Sequence, residues 1–236
     1  MLPDLRPRLG VIGGLGPMAS ADFYRKIVEL TPARDDAEHL SLVLLSLPQI
    51  PDRSGAILAE TDAPLPALRQ AVETLDGLGV EAIAIVCNTA HHWYDELTGS
   101  ARSTLLHIAD CAIAELAVHR VVGPVMILAT RGTLQSGFYQ RKLAAAGYSV
   151  CTAFDIGAQA AVDTVIARVK AGDLVGARTV MSEVVEAAAA AGIKAGLLAC
   201  TELPLAAEGL ASPDMVLIDP TAELARACLR RFGIAV

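Results

Sequence analysis

The segment Glu81-Ala-Ile-Ala-Ile-Val-Cys87-Asn-Thr89 returns 113 positions later as Lys194-Ala-Gly-Leu-Leu-Ala-Cys200-Thr-Glu202. In both copies a continuous apolar run ends on a cysteine and passes straight into polar residues. Apolar runs without alternation are the pattern of strands covered on both faces, as in a parallel sheet. Similar runs occupy residues 9–12, 42–47, 125–128 and 215–218, with amphipathic or Ala-rich helical stretches between them. This alternation predicts an α/β protein built from mainly parallel sheets flanked by helices.

The repeat extends beyond the two cysteines. Leu9-Gly-Val-Ile-Gly13, followed by Phe23-Tyr-Arg-Lys26, is echoed by Val125-Met-Ile-Leu-Ala129, followed by Phe138-Tyr-Gln-Arg-Lys142. Leu106-His-Ile-Ala-Asp110 is echoed by Val216-Leu-Ile-Asp-Pro220. Offsets of 116, 113 and about 109 positions describe one duplication with small deletions. Two pseudo-symmetric domains are therefore expected, over residues 1–117 and 118–217. Equivalent residues of such halves commonly meet at one cleft between them, which would bring Cys87 and Cys200 together.

The residues after each cysteine, Asn88-Thr89 and Thr201-Glu202, are helix-capping types. A helix N-terminus there is expected to lower the thiol pKa and populate thiolate near neutral pH. Two such groups on opposite faces of a carbon suit racemisation: one thiolate removes a proton and one thiol returns another from the other side. Cys111, Cys151 and Cys228 read as packing residues, because an unpaired cysteine behaves as a small buried hydrophobe.

Composition narrows the remaining classes. The chain has 236 residues, is 53% hydrophobic and carries a net charge of -7. No Lys/Arg cluster suggests nucleic acid as a partner. No apolar stretch approaches the roughly 18 residues of a membrane span. Residues 1–8 lack a signal-like apolar core, and five scattered cysteines suggest neither a disulfide framework nor a zinc knuckle. A soluble cytoplasmic protein is expected.

Six blocks in order carry a resemblance: Gly13-Gly-Leu-Gly-Pro-Met-Ala-Ser20, Pro48-Gln-Ile-Pro-Asp-Arg53, Cys87-Asn-Thr-Ala-His91, Ala129-Thr-Arg-Gly-Thr133, Val169-Lys-Ala-Gly-Asp173 and Ala199-Cys-Thr-Glu202. Nearly end to end, the chain resembles the pyridoxal-phosphate-independent aspartate/glutamate racemases, and within them the aspartate racemases. The resemblance implies two flavodoxin-like domains with the site between them, and a terminal segment, about residues 218–236, that packs back on the first domain. It also implies catalytic bases Cys87 and Cys200, no metal, no organic cofactor, and a homodimer acting on a small acidic amino acid. Arg53 and Lys170 would bind substrate carboxylates, with Gly14, Met18, Asn88, Thr89, Thr130, Thr133, Thr201 and Glu202 lining the pocket.

Other readings remain open at this point. Gly13-Gly-Leu-Gly16 after a strand is a weak dinucleotide-binding signal, but the strand over 42–47 closes on Pro48-Gln49 where a ribose-binding acid would be needed. Cys87 and His91 stand i, i+4, a conceivable zinc pair with no counterpart after Cys200; His91 reads better as a pocket wall. A non-catalytic binder of acidic metabolites would have no use for paired thiols. A glutamate or broad-specificity racemase, a hydantoin racemase or a maleate isomerase differs too subtly for sequence to separate.

Overall fold

Among the described residues, eight strands form two separate four-stranded sheets, each wholly parallel. The first contains β1 (Leu9–Gly13), β2 (Leu42–Ser46), β3 (Ala82–Ile85) and β4 (Thr104–Leu106), ordered β2-β1-β3-β4. The second repeats that order with β5 (Pro124–Ala129), β6 (Ser149–Thr152), β7 (Ala195–Ala199) and β8 (Val216–Ile218), as β6-β5-β7-β8. The structure is a computed structural model and describes residues 6–210 and 215–236. The first five residues of the N-terminal stretch and residues 211–214 lie outside the described residues.

Helices cover both faces of each sheet. Those of the first half are α1 (Pro17–Leu30), α2 (Arg53–Leu58), α3 (Leu65–Gly77), α4 (Tyr94–Thr98) and α5 (Ile108–Val118). The second half supplies α6 (Arg131–Ser136), α7 (Phe138–Ala145), α8 (Gln159–Lys170), α9 (Leu174–Ala190) and α10 (Leu203–Ala207), and the chain closes with α11 (Pro220–Arg231). Side chains along each interior strand divide between two apolar clusters. Ile83 and Ile85 of β3 join α3 on one face, while Ala82 and Ala84 join Phe23 and Ile27 of α1 on the other. Met126 and Leu128 of β5 face α8 and α9, while Val125 and Ile127 face α5 and α7. Double coverage is why these strands read as unbroken apolar runs.

The last helix belongs to the first sheet's packing. Leu224, Ala225, Cys228 and Leu229 of α11 are buried with Leu9, Val11 and Phe23, and burial of each leucine stabilises the contact by about 1.5–3 kcal/mol. Lys26 of α1 reinforces it, pairing with Asp22 and, at 2.6 Å, with Asp219, the N-cap of α11. Cys111 and Cys228 lie in this packing layer, where burial pushes the Cys111 thiol up to about 11 and raises that of Cys228 further. Cys151 sits in β6, its thiol directed at the Val125 carbonyl.

Strand order positions the site. In each sheet the chain steps from the first strand to neighbours on opposite sides, so the loops leaving the two central strands diverge and open a crevice at their C-terminal ends. Those strands are β1 and β3 in one half, β5 and β7 in the other. The seam between halves is tight: α2 packs on α6, and the Gly132 N–H donates to the Ser54 hydroxyl at 3.0 Å. A Cβ at Gly132 would come within 2.7 Å of the Ser54 Cα, so only glycine allows this approach.

Candidate active site

Cys87 follows β3 and Cys200 follows β7, at matching ends of matching strands, and both line one cavity between the two sheets. Arg53, Asn88, Thr89, Thr130, Lys170, Thr201 and Glu202 share that lining. The space is about 20 Å³, room for roughly one water. It shares Leu15, Arg53, Lys170 and Glu202 with a larger, mainly apolar chamber of about 660 Å³ walled by Pro17, Met18, Ala21, Pro48 and Val169. Gly14 and Met18 therefore belong to the outer chamber, and a molecule larger than a water must part the inner walls to reach the thiols.

Gly14 has φ 81°, and a Cβ there would collide with the Leu47 backbone. The glycines after β1 thus let this loop lie against the β2 loop. At Gly16 a Cβ would sit 2.5 Å from the Glu202 Oε1, so a side chain there would displace that carboxylate.

A ring of hydroxyls ties the two halves together beside Cys87. Thr89 Oγ1 is 3.1 Å from Thr130 Oγ1 and 2.8 Å from Thr133 Oγ1, and the latter two are 3.0 Å apart. Thr130 also caps α6 by accepting from the Thr133 N–H. Thr133 is fully buried and completes the ring behind the cavity wall. Asn88 is oriented from the other half, because the buried Tyr139 hydroxyl donates to its Oδ1 at 2.6 Å. Burial raises the Tyr139 pKa and keeps it a donor. The Asn88 Nδ2 is buried without a hydrogen-bond partner among the described residues.

Arg53 is the first residue of α2, whose N-cap is Asp52. Its guanidinium is fastened by backbone carbonyls: Nη1 donates to Ile50 and Pro51, and Nη2 to Leu15 at 2.6 Å. Three of five N–H donors are thereby used, and the buried Nε–H has no partner. Lys170 ends α8 and has no ion-pair partner among the described residues. Leu15, Asp52 and Ser54 also line the cavity. Leu15 and Asp52 lie inside sequence blocks quoted above, which were read for Gly14, Met18 and Arg53 alone, and Ser54 follows directly after one of them.

The capping expectation is corrected here. Cys87 is followed by a 3-10 turn over residues 89–93, and neither Asn88 nor Glu202 makes a side-chain cap. Residue 202 instead turns toward its own cysteine: the Cys200 thiol donates to Glu202 Oε2 at 3.0 Å and the Thr201 hydroxyl to the same oxygen at 3.3 Å. Burial, together with the Glu202 charge, holds the Cys200 thiol well above its usual value, and the positive charge of Lys170 opposes the shift only in part. The expected depression of the thiol pKa is reversed at Cys200. Glu202 Oε1 is buried without a hydrogen-bond partner among the described residues.

His91 stands behind the site and not in its wall. Its Nδ1–H donates to the Cys87 carbonyl at 2.9 Å and its Nε2 accepts from the Ile108 N–H at 3.2 Å. Both ring nitrogens are committed to the backbone, so the residue braces Cys87. Burial lowers its pKa to about 4, and that of the adjacent His107 to about 2. An unfolded histidine near 6.5 takes up a proton that these folded rings refuse, so stability falls as pH drops through 6.5. Between pH 7 and pH 5 the loss is expected to be on the order of 1–2 kcal/mol per histidine. Urea midpoints measured at both pH values check this; an unchanged midpoint would contradict the neutral, buried assignment.

Among the described residues, no group of three or more His, Cys, Asp or Glu side chains is arranged to hold a metal, and no helix is long and apolar enough to cross a membrane. Two like lobes each deliver a cysteine from the end of an interior strand to one polar cavity. The chain belongs to the Asp/Glu/Hydantoin racemase family, whose model matches residues 12–228. It is similar to the aspartate racemase of Picrophilus torridus, at 30% identity and a TM-score of 0.84, over 97% of this chain and 95% of that one. A broad specificity amino-acid racemase of Bacillus subtilis is 28% identical over 148 residues, which span 60% of this chain and 63% of the relative's length. The glutamate racemase of Francisella tularensis, at 18% identity and a TM-score of 0.66 over 98% of this chain and 84% of that one, shares the fold.

Proposed function

We propose that the protein interconverts L- and D-aspartate without metal or organic cofactor, with Cys87 and Cys200 exchanging the α-proton from opposite faces. The observation that carries this reading is the pair of cysteines on equivalent strand ends facing one cavity. One thiolate takes the α-hydrogen and becomes a thiol; the electron pair passes to Cα and the carboxylate; the opposite thiol gives its proton to the other face and becomes the thiolate. Asn88 Nδ2 and the Thr89 and Thr130 hydroxyls of the cavity wall supply hydrogen bonds where negative charge develops on that carboxylate. Arg53 and Lys170 hold the two carboxylates, and Glu202 Oε1 accepts from the ammonium. In this reading residues 1–117 and 118–217 are the two lobes that part to admit substrate. The protein works as a cytoplasmic homodimer, which light scattering tests.

The deciding experiment follows optical rotation during incubation with each enantiomer of aspartate and glutamate. Activity is expected to survive dialysis against a chelator and a carbonyl reagent. Loss on dialysis with recovery on adding pyridoxal phosphate or a metal would overturn the two-thiol mechanism. A broader amino-acid racemase is the second reading. The apolar chamber beside the thiols could take a larger side chain, and the Bacillus subtilis relative is named as broad in specificity. Turnover of apolar amino acids at rates matching aspartate would favour it.

A further inference from the structure

The two halves match in strand order but differ at the second position after each cysteine: Thr89 in one, Glu202 in the other. Thr89 faces the hydroxyl ring and carries no charge. Glu202 accepts the Cys200 thiol proton at 3.0 Å inside a site where both cysteines are 6% exposed. The remaining charges around Cys200 are Lys170 from the end of α8 and Arg53 and Asp52 from the start of α2, with Cys87 across the cavity. Arg53 is already fastened to three carbonyls. Beyond burial itself, the carboxylate in direct contact with Cys200 is the charge that most favours its protonated form.

Building on the racemase reading, we propose that Glu202 is a positioning residue that keeps the transferable proton on Cys200 until an amino group arrives, making Cys87 the first base. The other oxygen, Oε1, is buried and unpartnered on the cavity wall. An ammonium bound there offsets the Glu202 charge and lowers the cost of thiolate at Cys200. In the first half-turn the Cys87 thiolate forms an S–H bond with the α-hydrogen, and the C–H electron pair stays on the substrate. The Cys200 S–H bond then breaks, its proton goes to the opposite face of Cα, and its electron pair stays on sulfur. The protein is left with the protonation pattern reversed. That form is spent by the opposite enantiomer, or returns to the first when water carries the proton from Cys87 to Cys200. The pseudo-symmetric site is thus electrostatically one-sided.

Iodoacetamide, followed by peptide mass spectrometry across a range of pH, reads the two thiols separately and needs no turnover. In the wild-type protein near pH 8, Cys87 should be alkylated at least about tenfold faster than Cys200, because the Cys200 thiol proton is engaged by Glu202 at 3.0 Å. In Glu202→Gln, Cys200 should gain at least about tenfold in rate while Cys87 stays within about twofold of wild type. Glu202→Asp, which keeps the charge, should retain the wild-type order. Cys200 reacting as fast as Cys87 in the wild-type protein, or a Cys200 rate unmoved in Glu202→Gln, would overturn the proposal. Should Glu202→Gln not fold, the wild-type order alone decides. A one-sided alkylation pattern in a protein that racemises nothing would instead refute the proposed function and leave the Glu202 contact standing.

Discussion

Cys87→Ala and Cys200→Ala are each expected to lower the racemisation rate by at least about a thousandfold, within the range general acid–base groups contribute. In the proposed mechanism either substitution removes the acid–base group on one face of Cα, so the proton is not delivered there however well the substrate binds. The remaining thiol should still exchange the α-hydrogen of one enantiomer with deuterated solvent. In Cys200→Ala the enantiomer that exchanges is the one presenting its α-hydrogen to Cys87; in Cys87→Ala it is the other. Polarimetry for racemisation and proton NMR for exchange separate these behaviours. A single mutant that racemises at near wild-type rate would show that its missing cysteine is not a base. The folded state should tolerate both changes, because each thiol sits at a strand end and removing it leaves only a small void.

Arg53→Ala is expected to lower kcat/KM for aspartate by roughly 30-fold to several thousandfold, the cost of losing a desolvated charge partner, about 2–5 kcal/mol. The geometry argues for the upper part of that range. The guanidinium is anchored by the Leu15, Ile50 and Pro51 carbonyls, so its free donors are oriented before substrate arrives. Removing it also leaves those carbonyls unpaired and loosens the loop after β1. Lys170→Ala removes a cation at the end of α8 that partly offsets Glu202 at Cys200. It should therefore weaken both carboxylate binding and proton transfer. Steady-state kinetics on the two variants, with circular dichroism to establish folding, provide the check. Were both to keep kcat/KM within about threefold of wild type, a neutral substrate would replace aspartate as the better assignment.

Sequence alone located the apolar strands β1, β2, β3, β5, β7 and β8, because burial against helices demands continuous apolar runs, but it did not separate the edge strands β2 and β8 from the interior ones. The edge strands β4 and β6 were not read as full strands. They are three and four residues long and largely half-exposed, which removes the apolar signal. The duplication was legible for a related reason: both halves keep the same pattern of burial, and so the same cysteine at the same strand end. What surrounds each cysteine was decided by tertiary structure. Asn88 looked like a cap but is bonded by Tyr139 from the other half, 51 positions away. His91 looked like a pocket wall but braces the Cys87 carbonyl. Glu202 was read as a capping residue and as lining, yet its carboxylate joins burial in holding the proton on Cys200. A local helix dipole can be inferred from neighbouring residues, but a thiol's pKa follows from every charge and every layer of burial around it in space. Those are fixed only when two lobes distant in sequence close on one another.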